Sequence, residues 1–279
     1  MLRGLFARLR ARRKERGNGA ALAMPAMTSF ADGMTRLPQK LGEKLSEGQD
    51  LFLGTTVSRI TRTSGGWRLD TDRGPFTATY LVLATPINTA LQLLGPLYDD
   101  LPLSQVDCAW LASVVLGFPD TVTLPPGFGY LAPEVEQRFA LGALFTSNMF
   151  PGRAPAGHRV IEVLVGGRRH PERLELDDDT LAARALADVA AILHLPRRPA
   201  YRTVLRPEGG IPQLERHYPR LRQWRDGALA GNRRLHLCGF GWDGIGINDM
   251  VKHACQVAEA IAGGADKDNA NPEVKAIYF

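Results

Sequence analysis

Cysteine is scarce in this chain. Only Cys108, Cys238 and Cys255 occur among 279 residues, and they lie far apart. That spacing offers no disulfide framework and no cysteine-based zinc site. It fits reduced thiols in a reducing compartment. Long apolar runs are missing as well, since no stretch approaches the ~18 residues of a membrane span. The start, MLRGLFARLRARRKERG, has the charge of a secretory n-region but no apolar h-region, so it is not a secretory signal; its Arg-rich, nearly acid-free makeup is faintly that of a transit peptide. There is no Gly-x-Ser-x-Gly, no His-Glu-x-x-His and no Walker-type phosphate loop. The six histidines are isolated from one another, and no nucleophile–base pair or metal site follows from spacing.

What is present is globular. Apolar residues make up 44% and charged residues 23%, enough for a packed core in one large or two modest domains. The net charge of +5 is unevenly placed. Residues 1–16 carry seven basic groups against Glu15, whereas the rest of the chain holds 27 basic and 28 acidic groups. The body is therefore neutral, which argues against nucleic-acid binding. The terminal block reads as a solvated tail, a phosphate-binding arm or a membrane-surface helix.

The pattern along the chain is mixed α/β. Residues 1–24 read as a basic helix fading into a linker. A helix is expected over 34–45, from Met34, Leu37, Leu41 and Leu45 at spacings of three and four. Short strands follow at 51–53, 55–63, 67–71 and 76–84, the last ending in an apolar run that reads as buried on both sides. A helix begins at 88–94. Strands at 109–118, 139–146 and 159–165 follow one another without intervening helices, which predicts an antiparallel or mixed sheet. Asp177, Asp178 and Asp179 precede a helix at 181–194, fit to cap it, with His194 in its last turn. A strand at 201–205, a loop at 208–211, a weak helix at 221–229, a strand at 234–238, a helix at 249–262 and a possible terminal strand at 274–279 complete the reading. The chain thus leaves one unit, builds a second and returns.

The most informative segment is LHLCGFGWDGIGINDMVKHACQVAEAIA, residues 235–262. Gly239-x-Gly241-x-x-Gly244 matches the dinucleotide fingerprint formally. A true fingerprint opens a βαβ unit with an acidic residue ending its second strand, and only about 35 residues remain here. Two readings stay open: a tight strand-to-helix connection, or backbone amides at a helix N-terminus facing an anionic or electron-rich ligand. His217 and His253 either line such a site or are ordinary surface or core histidines.

Four stretches carry a resemblance to the protoporphyrinogen/coproporphyrinogen oxidases, within the flavin-containing amine oxidase superfamily. SFADGMTRLPQKLGEKL resembles the family's Phe-x-Gly-Gly segment and following helix, with Asp32 in place of the first glycine. VSRITRTSGGWRLDTDRGPFTATYLVLATP is similar to its β-meander and Ala-Thr-Pro strand end. ALGALFTSNMFPGRAPAGHRVIEVLVGGRRHPE resembles its substrate-domain strands, and GFGWDGIGINDMVKHACQVAEAI its carboxy-terminal flavin-contacting motif. The resemblance implies a partial FAD-binding domain of the amine-oxidase type plus a mixed-sheet substrate domain. It divides the chain into a basic arm (1–27), part of the FAD-binding domain (28–92), the substrate domain (93–228), a return to the FAD-binding domain (229–264) and a tail (265–279). Nothing like the family's opening Gly-x-Gly-x-x-Gly unit precedes these stretches. The chain is therefore expected to be the carboxy-terminal part, inactive alone, with an amino-terminal half as partner.

The implied cofactor is FAD. The implied cofactor-binding residues are Val57, Tyr218, Gly244, Ile245 and Gly246. The implied reaction is oxidation of a porphyrinogen with O₂ as acceptor. Arg153, Arg168 and Arg169 either meet the tetrapyrrole's carboxylates or are solvated. The apolar strand at 109–118 either walls the macrocycle or is core. The setting implied is cytoplasmic, with peripheral membrane contact as an open alternative. Rival readings are an amine oxidase, a carotenoid desaturase-like enzyme, or a flavin-free binding or scaffold protein derived from the substrate domain.

Overall fold

A computed structural model describes residues 28–263. The expected basic helix at 1–24 and terminal strand at 274–279 lie outside the described residues. The chain divides into two compact units, Met1–Leu45 and Ser46–Phe279. In the first, helix α1 (Arg36–Gly42) is shorter than the expected 34–45 and buries none of its residues. Its apolar spacing alone does not hold its two ends in the helix.

The second unit begins with an antiparallel meander of β1 (Val57–Thr63), β2 (Gly66–Thr71) and β3 (Gly74–Ala78). The expected strand at 51–53 is only an isolated bridge between Glu47 and Leu51. The expected strand at 76–84 breaks in two. After β3 the chain bends and restarts as β4 (Leu81–Leu83). Here the expectation of burial on both sides fails. Leu81 and Leu83 are buried but Val82 is 39% exposed, because only one face of β4 meets the core. Helix α2 (Ile87–Leu94) follows, burying Ile87, Ala90, Leu91 and Leu94 at helical spacing.

The expected strand at 109–118 also divides. β5 (Cys108–Ala109) pairs elsewhere, and β6 (Leu111–Pro119) enters a larger sheet. That sheet adds β7 (Gly129–Leu131) and β8 (Gly142–Leu144), the core of the longer stretch expected at 139–146. A short helix, α3 (Thr146–Met149), leads on, and β9 (His158–Gly166) follows. Helix α4 (Asp178–Leu193) then precedes β10 (Tyr201–Leu205). The sheet order is β10-β6-β9-β8-β7, antiparallel throughout, the first of the two arrangements expected, with α3 and α4 interrupting the run of strands.

Alternate residues of β6 and β9, among them Val114, Leu116, Ile161 and Val163, pack with Leu181, Ala185 and Val189 of α4 in one core. Asp177 caps α4: its carboxylate accepts from the Thr180 N–H at 2.9 Å. That bond holds the Asp177 carboxyl below its usual range. His194 does not sit in the last turn. It follows the helix at φ 54°, the left-handed conformation that ends it.

β11 (Ile211–Pro212) pairs with β5. Then come α5 (Tyr218–Ala230), β12 (Leu235–Leu237) and α6 (Ile247–Ala262). β12 pairs with β4 in parallel, and their leucines join Ile60, Trp67, α2, Leu221 and Trp242 in a second core. The Trp67 ring N–H donates to the Arg234 carbonyl at 2.9 Å and so ties the meander to the return strand. Among the described residues no helix is long and apolar enough to cross a membrane.

Leu116 is wholly buried in the sheet core, while Val135 is 82% exposed. In urea titrations Leu116→Ala should cost about 2–5 kcal/mol, and Val135→Ala should stay within about 0.5 kcal/mol. Equal losses would contradict the placement of the core.

Candidate functional site

Two parallel strands far apart in sequence build the site. Leu81, Val82 and Leu83 stand opposite Leu235, His236 and Leu237. Their carboxyl ends run into Thr85-Pro86 on one side and the turn at 239–246 on the other. The Cys238 N–H donates to the Leu83 carbonyl at 3.1 Å, and the Ile87 N–H donates to the Phe240 carbonyl at 3.0 Å. Crevices outside the carboxyl ends of parallel strands are where open α/β sheets take ligands.

The turn needs glycine for two reasons. Gly241 has φ 94°, and a Cβ there would lie 2.8 Å from the Ile87 side chain and 2.9 Å from Pro212. Gly244 has φ 146°, and its Cβ would fall 2.6 Å from the Asp249 carboxylate. An L side chain is strained at both angles and has no room at either place. The Gly241 N–H donates to the Gly244 carbonyl at 3.0 Å, closing the turn.

Helix α6 opens directly behind it, with Gly246 as N-cap and no side-chain cap. Its first backbone bond runs from the Met250 N–H to the Gly246 carbonyl at 3.1 Å. Among the described residues the N–H groups of Ile247, Asn248 and Asp249 have no acceptor. Unpaired N–H groups and the positive end of the helix dipole favour an anionic or electron-rich partner. At the end of β4 the Thr85 hydroxyl is buried with no hydrogen-bond partner, a second polar group free for a ligand.

Beneath the turn lies a buried ion pair. Arg225 of α5 reaches both carboxylate oxygens of Asp243 at 2.7 Å, and each side chain is 9% exposed. Asp226 adds a contact at 3.2 Å, and His253 of α6 approaches Asp243 at 3.7 Å. Burial pulls the guanidinium pKa down, but the two aspartates outweigh it and hold the Arg225 pKa above its ordinary value. The Tyr218 hydroxyl donates to the Trp242 carbonyl. Burial first, and the Asp243 charge second, push the Tyr218 phenol up to about 12. The same two causes raise the Cys238 thiol, which disfavours the reactive thiolate.

Among the sequence-derived candidates, Tyr218 and Val57 both pack against the second core. Tyr218 holds the glycine turn directly. No hydrogen bond joins Val57 to that turn among the described residues. Val57 sits at a register shift at the start of β1, opposite Thr71. Gly244 is buried in the turn, Ile245 is 40% exposed, and Gly246 caps α6.

The three arginines do not converge. Arg168 and Arg169 follow β9 and pair with Glu215 and Glu134. Arg153 precedes β9 and lines a cleft of about 250 Å³ with Arg159 and His158. The nine residues of β9 between them span about 30 Å. His217 is exposed at the N-cap of α5, away from the Asp243 pair that His253 approaches. Among the described residues no group of three or more His, Cys, Asp or Glu is placed to hold a metal ion.

Arg225, Asp243 and Thr85 are the residues that sequence reasoning missed. Arg225 and Asp243 stand 18 positions apart on different elements, so no periodic pattern links them. Asp243 alone carried a signal, as the one acid inside a run of glycines.

The family model for flavin containing amine oxidoreductases matches residues 3–262. The chain belongs to that family. It is 28% identical to human protoporphyrinogen oxidase over 247 residues, covering 84% of this chain and 51% of that protein. It is 29% identical to the chloroplastic protoporphyrinogen oxidase 1 of spinach, covering 84% and 44%. Among solved structures, a putative protoporphyrinogen oxidase from Exiguobacterium superposes with a TM-score of 0.72 at 27% identity, covering 84% of this chain and 51% of that one. A putrescine oxidase shares the fold at TM-score 0.64 and 14% identity. The chain spans about half the length of the curated relatives it matches. The resemblance read from the four motifs, and the mixed α/β fold of the amine-oxidase type, therefore hold. So does a flavin as the family's cofactor.

Arg225→Ala leaves Asp243 buried with, among the described residues, only His253 near it at 3.7 Å, and should cost about 3–5 kcal/mol in denaturant titration. The raised Tyr218 pKa means that its contribution to stability is complete below about pH 10 and is lost as pH rises toward 12. Tyr218→Phe should cost about 1 kcal/mol at neutral pH and flatten that alkaline loss. An unchanged alkaline profile would contradict the assignment.

Proposed function

We propose that this chain is the carboxy-terminal part of an FAD-dependent porphyrinogen oxidase. The observation that carries the reading is the glycine turn. It places unpaired amides of α6 and the unpartnered Thr85 hydroxyl at the carboxyl ends of a parallel strand pair, in a chain of the flavin family. These residues fit the cofactor as donors without partners at the positive end of a helix, while the glycines make room for Ile87, Pro212 and the Asp249 carboxylate that pack against the turn. Val57 would meet the adenine side, and Gly244, Ile245 and Gly246 the flavin end. Tyr218 would act through its ring and its hold on Trp242. The similarity to protoporphyrinogen oxidases favours a porphyrinogen over an amine or a carotenoid.

Bound there, FAD would supply the hydride acceptor for removal of hydrogen from a porphyrinogen carbon with O₂ as final oxidant, and three such two-electron rounds would be needed to aromatise protoporphyrinogen or coproporphyrinogen. The chain's own part is to seat and orient. The α6 amides hold an electron-rich edge, the Arg225–Asp243 pair keeps the turn from shifting, and the substrate-side sheet shapes the space for the macrocycle. No acid–base pair is required of the protein. The two cores support a division into a flavin side and a substrate side: one draws on residues from 57 to 106 and 218 to 242, the other on 112 to 204. A cytoplasmic setting fits the free thiols.

The reading includes a partner. The outer edge of β4 offers the Val82 N–H and carbonyl with no ladder partner among the described residues. Parallel strands are ordinarily flanked and covered. A segment carrying a Gly-x-Gly-x-x-Gly βαβ unit, of the kind the longer relatives have room for, would extend this sheet and hold the ADP half of FAD.

The test is reconstitution. The chain is purified with and without a separately expressed amino-terminal half of a relative, given FAD, and supplied with protoporphyrinogen IX. Retained flavin absorbance and accelerated porphyrin fluorescence in the mixed sample are expected, and Gly241→Val should abolish both. Turnover of a polyamine instead would favour the amine-oxidase reading. Failure to retain FAD in either sample would favour the flavin-free scaffold.

A further inference from the structure

The five-stranded sheet has a second face. One face packs with α4. On the other, strand register places Val115, Glu162 and Leu144 in one row across β6, β9 and β8, with Thr203 of β10 beside Val115. Ser113 and Leu164 stand in the next row. Val115, Leu144, Leu164 and Thr203 stay half-buried, so this is an apolar surface without a full cover.

One polar pair interrupts it near the middle. The Ser113 hydroxyl, on a residue 7% exposed, donates to Glu162 Oε1 at 2.6 Å. Among the described residues Glu162 Oε2 has no hydrogen-bond partner. A carboxylate on a surface to be dehydrated is costly unless donors complete it. Apolar side chains from a protein element would leave it bare. A puckered apolar ring with N–H donors at its centre, tilted toward the sheet, would satisfy it.

We propose that Ser113 and Glu162 form the specificity element by which this sheet recognises a reduced tetrapyrrole. The inference rests on the porphyrinogen reading above and deepens it. Every pyrrole nitrogen of a porphyrinogen carries an N–H, pointing toward the ring interior. Glu162 accepts from these, Ser113 fixes the orientation of the carboxylate, and Val115 and Leu144 lie against the apolar ring. The macrocycle's own carboxylates sit on its rim, where the Glu162 charge repels them outward. Oxidation to porphyrin strips half the ring nitrogens of hydrogen and leaves lone pairs facing the carboxylate. The pair therefore favours substrate over product and helps to release the aromatised ring.

The experiment is anaerobic titration of the full chain with protoporphyrinogen IX and, separately, protoporphyrin IX, read by quenching of tryptophan fluorescence. Wild type should bind the porphyrinogen more tightly than the porphyrin. Glu162→Gln should weaken porphyrinogen binding about tenfold and erase that preference, with the melting temperature unchanged. Ser113→Ala should shift it the same way by less, and it decides the matter if the Glu162 variant does not fold. Equal affinity of wild type and both variants for the porphyrinogen overturns the inference and leaves the porphyrinogen reading intact. Wild type that binds neither probe overturns the inference, and the reconstitution described above then decides the porphyrinogen reading.

Discussion

The structure depends on one pairing between segments about 150 residues apart in sequence. β4 and β12 run parallel, Leu81 against Leu235 and Leu83 against Leu237. Parallel neighbours need a long crossover, and here the crossover carries the whole five-stranded sheet with its helix. Closing so long a loop costs conformational entropy. The leucines of both strands offset that cost by joining one core with Ile60, Trp67 and Trp242. Without this pairing the glycine turn would have no Thr85-Pro86 to face, where a Cβ at Gly239 would lie 2.8 Å from the Ala84 carbonyl oxygen and 3.3 Å from that of Thr85.

A second constraint sits just below. The Arg225–Asp243 pair is almost fully buried, an arrangement that seldom adds much net stability. Its value here is positional. It fixes Asp243 in the middle of the glycines, while Tyr218 holds the Trp242 carbonyl next to it. The turn is anchored from within by Trp242, which is wholly buried in the second core, and its glycines pack closely on Ile87 and Pro212. The turn is thus both open to a ligand and held in place, which suits a site whose donors are peptide N–H groups.

Much of this was legible in the sequence, and the reasons differ by element. The run of strands without helices announced the antiparallel sheet, because adjacent strands in sequence pair most readily. Asp177 announced its helix through capping chemistry. Gly239, Gly241 and Gly244 announced a special turn, since all three sit at positive φ angles that L side chains rarely take. The strand ends were less legible. The apolar run that ends in β4 reads as buried on both faces, yet Val82 is open, because burial depends on what lies against a face and not on the residue's hydropathy. Arg225, Thr85 and the Ser113–Glu162 pair could not be read at all. Each gains its meaning from a partner or a vacancy that only the folded chain supplies.

The central claim is that the backbone from Gly244 to Asp249 is a flavin seat. Amide hydrogen exchange on the chain with and without FAD tests it most directly. The account predicts slower exchange at Ile247, Asn248 and Asp249, whose N–H groups lack acceptors in the folded chain. Unchanged exchange there, with protection appearing only in the five-stranded sheet, would contradict it.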